Sequence, residues 1–128
     1  MESIKIQVVF VDDHPVLMEG LRSLLVNNMD VEIAGCFING EGILSYMESH
    51  TPDIILLDIA LPDMNGIELQ RKLIVQGYRL PIIFVTGFSE MRARAQTLAA
   101  GAIGFLDKPF SDEELIACLN KALAANGV

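Results

Sequence analysis

Four stretches of this chain end in residues able to do chemistry: Asp12-Asp13, Asp58, Thr86 and Asp107-Lys108-Pro109. Each follows a short apolar run, so each sits where a strand would hand over to a loop. If those strands are parallel, three carboxylates (Asp12, Asp13 and Asp58), a hydroxyl (Thr86) and an amine (Lys108) converge on one sheet edge. Two like charges about 4 Å apart repel by roughly 4 kcal/mol at an effective dielectric of 20. Three acids together therefore need a cation or a proton to coexist. Magnesium suits them as a hard ion that takes oxygen ligands, keeps some waters and bridges to phosphate. An aspartate in that setting can attack phosphorus and form an acyl phosphate. Lys108 and Thr86 would then stabilise charge on the equatorial phosphoryl oxygens.

The elements that must position these groups are legible in the apolar pattern. Ile6–Val11, Val31–Phe37, Ile54–Leu57, Ile82–Val85 and Ile103–Leu106 are short, mostly β-branched or aromatic runs. Such near-continuous runs predict strands of a parallel sheet covered on both faces. Helical spacing lies between them. Pro15 suits a first helical position, with Leu17, Leu21, Leu24 and Leu25 on one face. Leu69, Leu73 and Ile74 mark another helix, and Met91, Ala95, Leu98 and Ala99 another. The last opens on Ser111 and Glu114, a capping-box spacing, and continues through Leu115, Cys118, Leu119 and Ala122. Ala124 to Val128 reads as its end. Five strands alternating with five helices, joined by right-handed crossovers, predict an α/β protein, a three-layer α/β/α sandwich. The interval from Asp13 to Asp58 leaves room for two βα units. No linker, repeat or low-complexity segment interrupts residues 1–128, which predicts one domain with a core from about residue 5 to 125.

Composition narrows the function classes. Nine Lys and Arg against 17 Asp and Glu give a net charge of −8, which argues against nucleic acid or an anionic membrane as a direct partner. No apolar run approaches the roughly 20 residues of a membrane span, and the opening Met1-Glu2-Ser3 has no signal pattern. Cys36 and Cys118 lack metal-ligand spacing and read as reduced thiols. The expectation is a soluble, cytoplasmic protein.

Taken together, Asp12-Asp13, Asp58, Thr86 and Lys108-Pro109 at these strand ends resemble the receiver domain of bacterial two-component response regulators. Val11-Asp12-Asp13-His14-Pro15, Ala99-Ala100-Gly101-Ala102, Phe105-Leu106-Asp107-Lys108-Pro109-Phe110, and Asp58 with Pro62 and Gly66 are close to the family's wording. The likeness spans residues 5 to 125. It implies a flavodoxin-like fold of strand order 2-1-3-4-5, in which Asp58 takes a phosphoryl group from the phosphohistidine of a sensor kinase or phosphotransfer protein. Asp12 and Asp13 would hold Mg2+, or Mn2+ in its stead, with Asp58 and the main-chain carbonyl of Ala60. Lys108 would pair with the phosphoryl group, Thr86 would swing toward it, and Phe105 would be the switch aromatic. That motion would reshape the face of the helix after the fourth strand, the fifth strand and the last helix. The bond before Pro109 matches one that is usually cis in the family. The implied partners also include a downstream output domain or protein and a phosphorylation-linked homodimer. Beyond its own phosphorylation and dephosphorylation, the chain is expected to be no enzyme.

Two positions depart from the family pattern. Ala60 and Phe88 stand two residues beyond the acceptor and the threonine, where polar side chains tune hydrolysis of the acyl phosphate; neither can orient water, so slow decay is expected. Gly87 would leave the pocket open. Taken alone, Asp12 and Asp13 could be a solvated helix cap, Thr86 an ordinary strand end and Phe105 a core aromatic. His14 and His50 read as surface loop residues. Arg92 and Arg94 read as solvated charges or as readers of an acidic partner, and Ala93, Ala95, Ala99 and Ala100 as a small-residue packing face. Three rival readings fit the same residues less well. A receiver acting by binding alone would lack the full acid, threonine and lysine set. An aspartyl-phosphate hydrolase of the haloacid-dehalogenase type wants an aspartate where Ala60 stands. A flavin carrier would have its phosphate repelled by Asp12-Asp13. Whether the chain acts alone or within a larger regulator or hybrid kinase stays open.

Overall fold

The computed structural model describes residues 6–12, 19–20, 22–23, 31–87, 91–108 and 110–125. The five apolar runs are strands: β1 (Ile6–Val11), β2 (Val31–Phe37), β3 (Ile54–Leu57), β4 (Ile82–Thr86) and β5 (Gly104–Asp107). All pairs are parallel and the order is β2-β1-β3-β4-β5, the expected topology. The first three strands have the bounds read from the sequence. β4 runs one residue further, and β5 begins and ends one residue later than the expected Ile103–Leu106, because Thr86 and Asp107 still pair across the ladder although neither is apolar. Backbone hydrogen bonding, rather than hydropathy, decides where those strands stop.

Alternation along the strands builds two cores. Val8 and Phe10 of β1, Ile54 and Leu56 of β3, Ile83 and Val85 of β4, and Leu106 of β5 face one layer. Val9, Val11, Ile55, Leu57, Ile82, Phe84 and Phe105 face the other. A one-residue slip would exchange these sets, so burial on both faces pins the register.

Four helices are described: α1 (Gly40–Met47), α2 (Gly66–Val75), α3 (Met91–Ala99) and α4 (Asp112–Ala125). The first core packs under α4 through Leu115, Leu119 and Ala122. The second packs under α1, α2 and α3 through Ile43, Met47, Leu69, Leu73 and Ala93. The capping box is present, with Ser111 Oγ accepting from Glu114 N at 3.1 Å and Glu114 Oε1 accepting from Ser111 N at 3.1 Å. Glu19, Gly20, Arg22 and Ser23 are helical, but Pro15, Leu17, Leu21, Leu24 and Leu25 lie outside the described residues.

The alanine face is corrected. Of the four alanines, only Ala93 is buried; Ala95, Ala99 and Ala100 are exposed, because the inward stripe of α3 is carried by Ala93 and Thr97. Cys36 and Cys118 are free thiols, and burial pushes the Cys118 thiol up. No helix among the described residues is long and apolar enough to cross a membrane.

Candidate functional site

Register brings the chemistry together. Val11 and Leu57 are ladder partners at the ends of β1 and β3, so Asp12 and Asp58 leave the sheet side by side. The Asp58 N–H still donates to the Val11 carbonyl at 2.9 Å, and the Asp12 N–H to that of Phe37 at 2.9 Å. Two strands away, the Lys108 N–H donates to the Thr86 carbonyl at 2.8 Å, which ties the ends of β4 and β5. Lys108 Nζ then reaches back across the edge to Asp12 Oδ2 at 2.8 Å and Asp58 Oδ2 at 3.6 Å.

The acids are deep for charged groups, with Asp12 6% and Asp58 2% exposed, and Thr86 is fully buried. Burial first, and then the Asp12 carboxylate, push the Asp58 carboxyl above its ordinary value. Lys108 and the N–H groups of Ala60 and Ile59 pull it the other way; the Ala60 N–H lies 3.3 Å from Asp58 Oδ1. Among the described residues these two buried carboxylates share one ammonium, which leaves an excess of negative charge and hard oxygen donors. That donor set fits a divalent cation such as Mg2+, with the main-chain carbonyl of Ala60 two residues beyond Asp58. Asp13, the third expected acid, lies outside the described residues, among which there is no three-acid cluster able to hold a metal. Phe88 and Pro109 also lie outside them.

The loop after Asp58 is held from several sides. The Gly66 N–H donates to the Ile59 carbonyl at 2.7 Å, and Ala60 bridges to Asn65. A side chain at Gly66 would bring its Cβ to 2.4 Å from the Asp58 carbonyl oxygen, so only glycine allows α2 to start this close to the acceptor. Asn65 caps α2 by accepting from Glu68 N at 2.8 Å. Asp63 reaches across to α1, accepting from Gly40 N at 2.9 Å and Glu41 N at 3.0 Å. These two amides, Gly40 foremost, hold the Asp63 carboxyl below its ordinary value. The sequence pattern had not singled out Asp63. The Asn65–Glu68 cap has a visible local spacing, but a clamp spanning 22 residues has none.

Phe105 faces the α3 side, 5% exposed, its ring centroid 6.2 Å from that of Phe84. Arg94 of α3 lies over it, 5.6 Å from the ring centroid, and approaches Asp107 Oδ2 at 3.9 Å. Arg94 is therefore more than a solvated charge: it bridges α3 to β5 beside the expected switch aromatic. Asp107 leaves the strand on the opposite side from Lys108, and its Oδ1 is buried with no hydrogen-bond partner among the described residues. His50 is exposed in the loop after α1, its ring stacked on Tyr46 at 4.2 Å, away from the acids. Gly87 is exposed, and an added Cβ there would meet only Lys108 Cδ at 4.0 Å.

Known proteins are similar to this chain in sequence and fold. The family model of the response regulator receiver domain matches residues 8–120. The response regulator protein TmoT of Ectopseudomonas mendocina is 33% identical over 116 residues, covering 91% of this chain and 52% of that protein. The chain thus spans about half the length of the curated relatives it matches. The response regulatory domain of mrkE from Klebsiella pneumoniae superimposes with a TM-score of 0.84 at 25% identity, covering 94% of this chain and 97% of that one. A BeF3-activated DrrB receiver domain gives 0.79 at 25% identity, covering 94% and 99%. On its sheet order, its carboxylate-bearing edge and these matches, the chain belongs to the response regulator receiver domain family of two-component systems.

Proposed function

We propose that this chain, as one receiver domain, is a phosphorylation-controlled switch that accepts a phosphoryl group on Asp58. The observation that carries the reading is Lys108 Nζ lying between two buried carboxylates, at 2.8 Å from Asp12 and 3.6 Å from Asp58. An Asp58 oxygen attacks phosphorus of a phosphohistidine on a sensor kinase or phosphotransfer protein. The P–N bond breaks, its electron pair leaves with the imidazole, and an acyl phosphate forms. Lys108 turns toward the new phosphoryl oxygens, and Thr86, at the end of the neighbouring strand, donates to one of them. Asp12, Asp13, Asp58 and the Ala60 carbonyl would hold Mg2+, which supplies Lewis-acid neutralisation of the phosphoryl charge.

Readout follows from what touches β5. Drawing Thr86 toward the phosphoryl group opens space beside Phe105, and the Arg94 guanidinium that covers that ring shifts with it. The α3–β5–α4 face is thereby offered to an output domain, an output protein or a second phosphorylated copy. The chain turns over nothing beyond its own phosphoryl group, and a cytoplasmic place of action goes with this reading. The BeF3-activated form of a structurally similar receiver supports it.

The test uses phosphoramidate, a P–N donor, with intact-mass detection. A single phosphoryl adduct is expected with MgCl2, and none with EDTA or in Asp58→Asn. No adduct under any condition would leave a receiver that works by binding alone.

A further inference from the structure

At the amino-terminal edge of the sheet, opposite Asp58, an open cavity of about 510 Å³ lies between the ends of α2 and α3. Its walls are more apolar than polar, with Ile74, Tyr78, Leu80, Ile82 and Ile103 among them, and Arg79 is the charged side chain that lines it. Val75, next to Ile74, is 80% exposed, and Ile74 itself is 47% exposed.

Arg79 is the one charged residue lining the cavity among the described residues, and the sequence around it is basic where the whole molecule is acidic. Between residues 71 and 94 the sequence carries Arg71, Lys72, Arg79, Arg92 and Arg94 against one acid, Glu90, in a chain of net charge −8. Lys72 pairs with Glu68 and Arg94 with Asp107. Arg71, Arg79 and Arg92 have no ion pair among the described residues. Helical spacing puts Arg71 one turn from Ile74 on α2. It also sets Arg92 on the stripe of α3 that runs through Gln96 to Ala100 at the cavity, about 12 Å up the same channel at 1.5 Å per residue.

The uncharged side-chain donors inside are already engaged. Gln70 Nε2 donates to the Thr97 carbonyl at 3.1 Å, and the Tyr78 hydroxyl donates to the Met47 carbonyl at 3.0 Å. A small polar ligand would find few groups to orient it. A mostly apolar floor beside the Arg79 guanidinium, with Arg71 and Arg92 on the flanking helices, instead suits a helix with aliphatic residues on one face and carboxylates beside them. We infer that the groove between α2 and α3 is a docking surface for an acidic amphipathic helix of a partner protein, separate from the α3–β5–α4 face.

The probe is a synthetic 16-residue helix with Leu along one face and Glu elsewhere, titrated into 15N-labelled protein; its control carries Lys for Glu. Shifts are expected at Ile74, Gly77, Tyr78, Ala100 and Ile103 for the Glu peptide only. Affinity should fall at least tenfold in 0.5 M salt and in Arg71→Glu/Arg79→Glu, whose fold is checked by its thermal transition. Absence of binding, shifts centred at the Asp58 edge, or binding indifferent to peptide charge and to salt would overturn the inference. So would concentration-dependent self-association that Ile74→Asp abolishes, since a second copy would then own the groove.

Discussion

The two edges of one sheet are built on opposite rules. At the carboxyl edge, Asp12 and Asp58 are buried against one amine at 2.8 and 3.6 Å, and charge is concentrated where water is scarce. At the amino edge, mostly apolar walls are open to solvent beside Arg79, which has no ion pair among the described residues. A buried charge favours any reaction that relieves it, whereas an exposed apolar groove favours association. The same strands serve both, because Ile82 and Ile103 stand where β4 and β5 begin, while β4 ends in Thr86, β5 leads into Lys108 and β3 leads into Asp58.

The sharpest way to break this contrast is to remove the amine. Lys108→Ala should slow phosphoryl uptake from phosphoramidate about 100-fold, the scale of losing one preorganised charge-stabilising group. Peptide binding at the far edge should be unchanged. An uptake rate within threefold of wild type would remove Lys108 from the chemistry.

Stability sharpens the contrast next. Because the Asp58 carboxyl lies above its ordinary value of 3.8 in the folded chain, folding favours its protonated form. Its ionisation therefore lowers stability as pH rises from about that value through the folded one. Asp58→Asn should stabilise the protein at pH 7 by about 1–2 kcal/mol, since it relieves a buried like-charge pair. The gain should disappear as pH falls below the ordinary value. Denaturant unfolding at pH 7 and pH 3.5 compares the two, and a less stable variant at pH 7 would contradict the electrostatic picture.

Phosphoryl lifetime is a third test. Ala60→Asn with Phe88→Glu should speed loss of the acyl phosphate about tenfold, equivalent to roughly 1.4 kcal/mol of barrier. An unchanged decay rate would mean that these two positions do not set the lifetime.

The smallest effect belongs to the loop clamp. Asp63→Ala should cost about 1 kcal/mol at pH 7, the usual loss for a side chain capping a helix. Here the sign is reversed. The Asp63 carboxyl lies below its ordinary value when folded, so its contribution is present above pH 3.8 and fades as pH falls through the folded value. Equal pH dependence in the wild type and the variant would argue that the clamp is idle.

What could be read in advance followed from periodicity and from strand ends. Short β-branched runs specify parallel strands, and a parallel sheet collects Asp12, Asp58, Thr86 and Lys108 at one edge whatever the loops do. The Ser111–Glu114 cap was visible because its two hydrogen bonds are local. Three features were not legible. Arg94 over Phe105 depends on how α3 packs on β5, Asp63 on α1 joins two distant loops, and the groove exists only once Ile74 and Ile103 are neighbours. Each is a long-range contact between residues whose types are ordinary for their place in the chain.

The central claim is that Asp58, and no other carboxylate of this edge, carries the phosphoryl group. Borohydride reduces an acyl phosphate of aspartate to homoserine, so reduction of the phosphorylated protein followed by peptide sequencing reads the acceptor directly. Homoserine at position 58 alone is the expected result. Homoserine at position 12 or 13, or a phosphate that survives reduction on another side chain, would contradict the account.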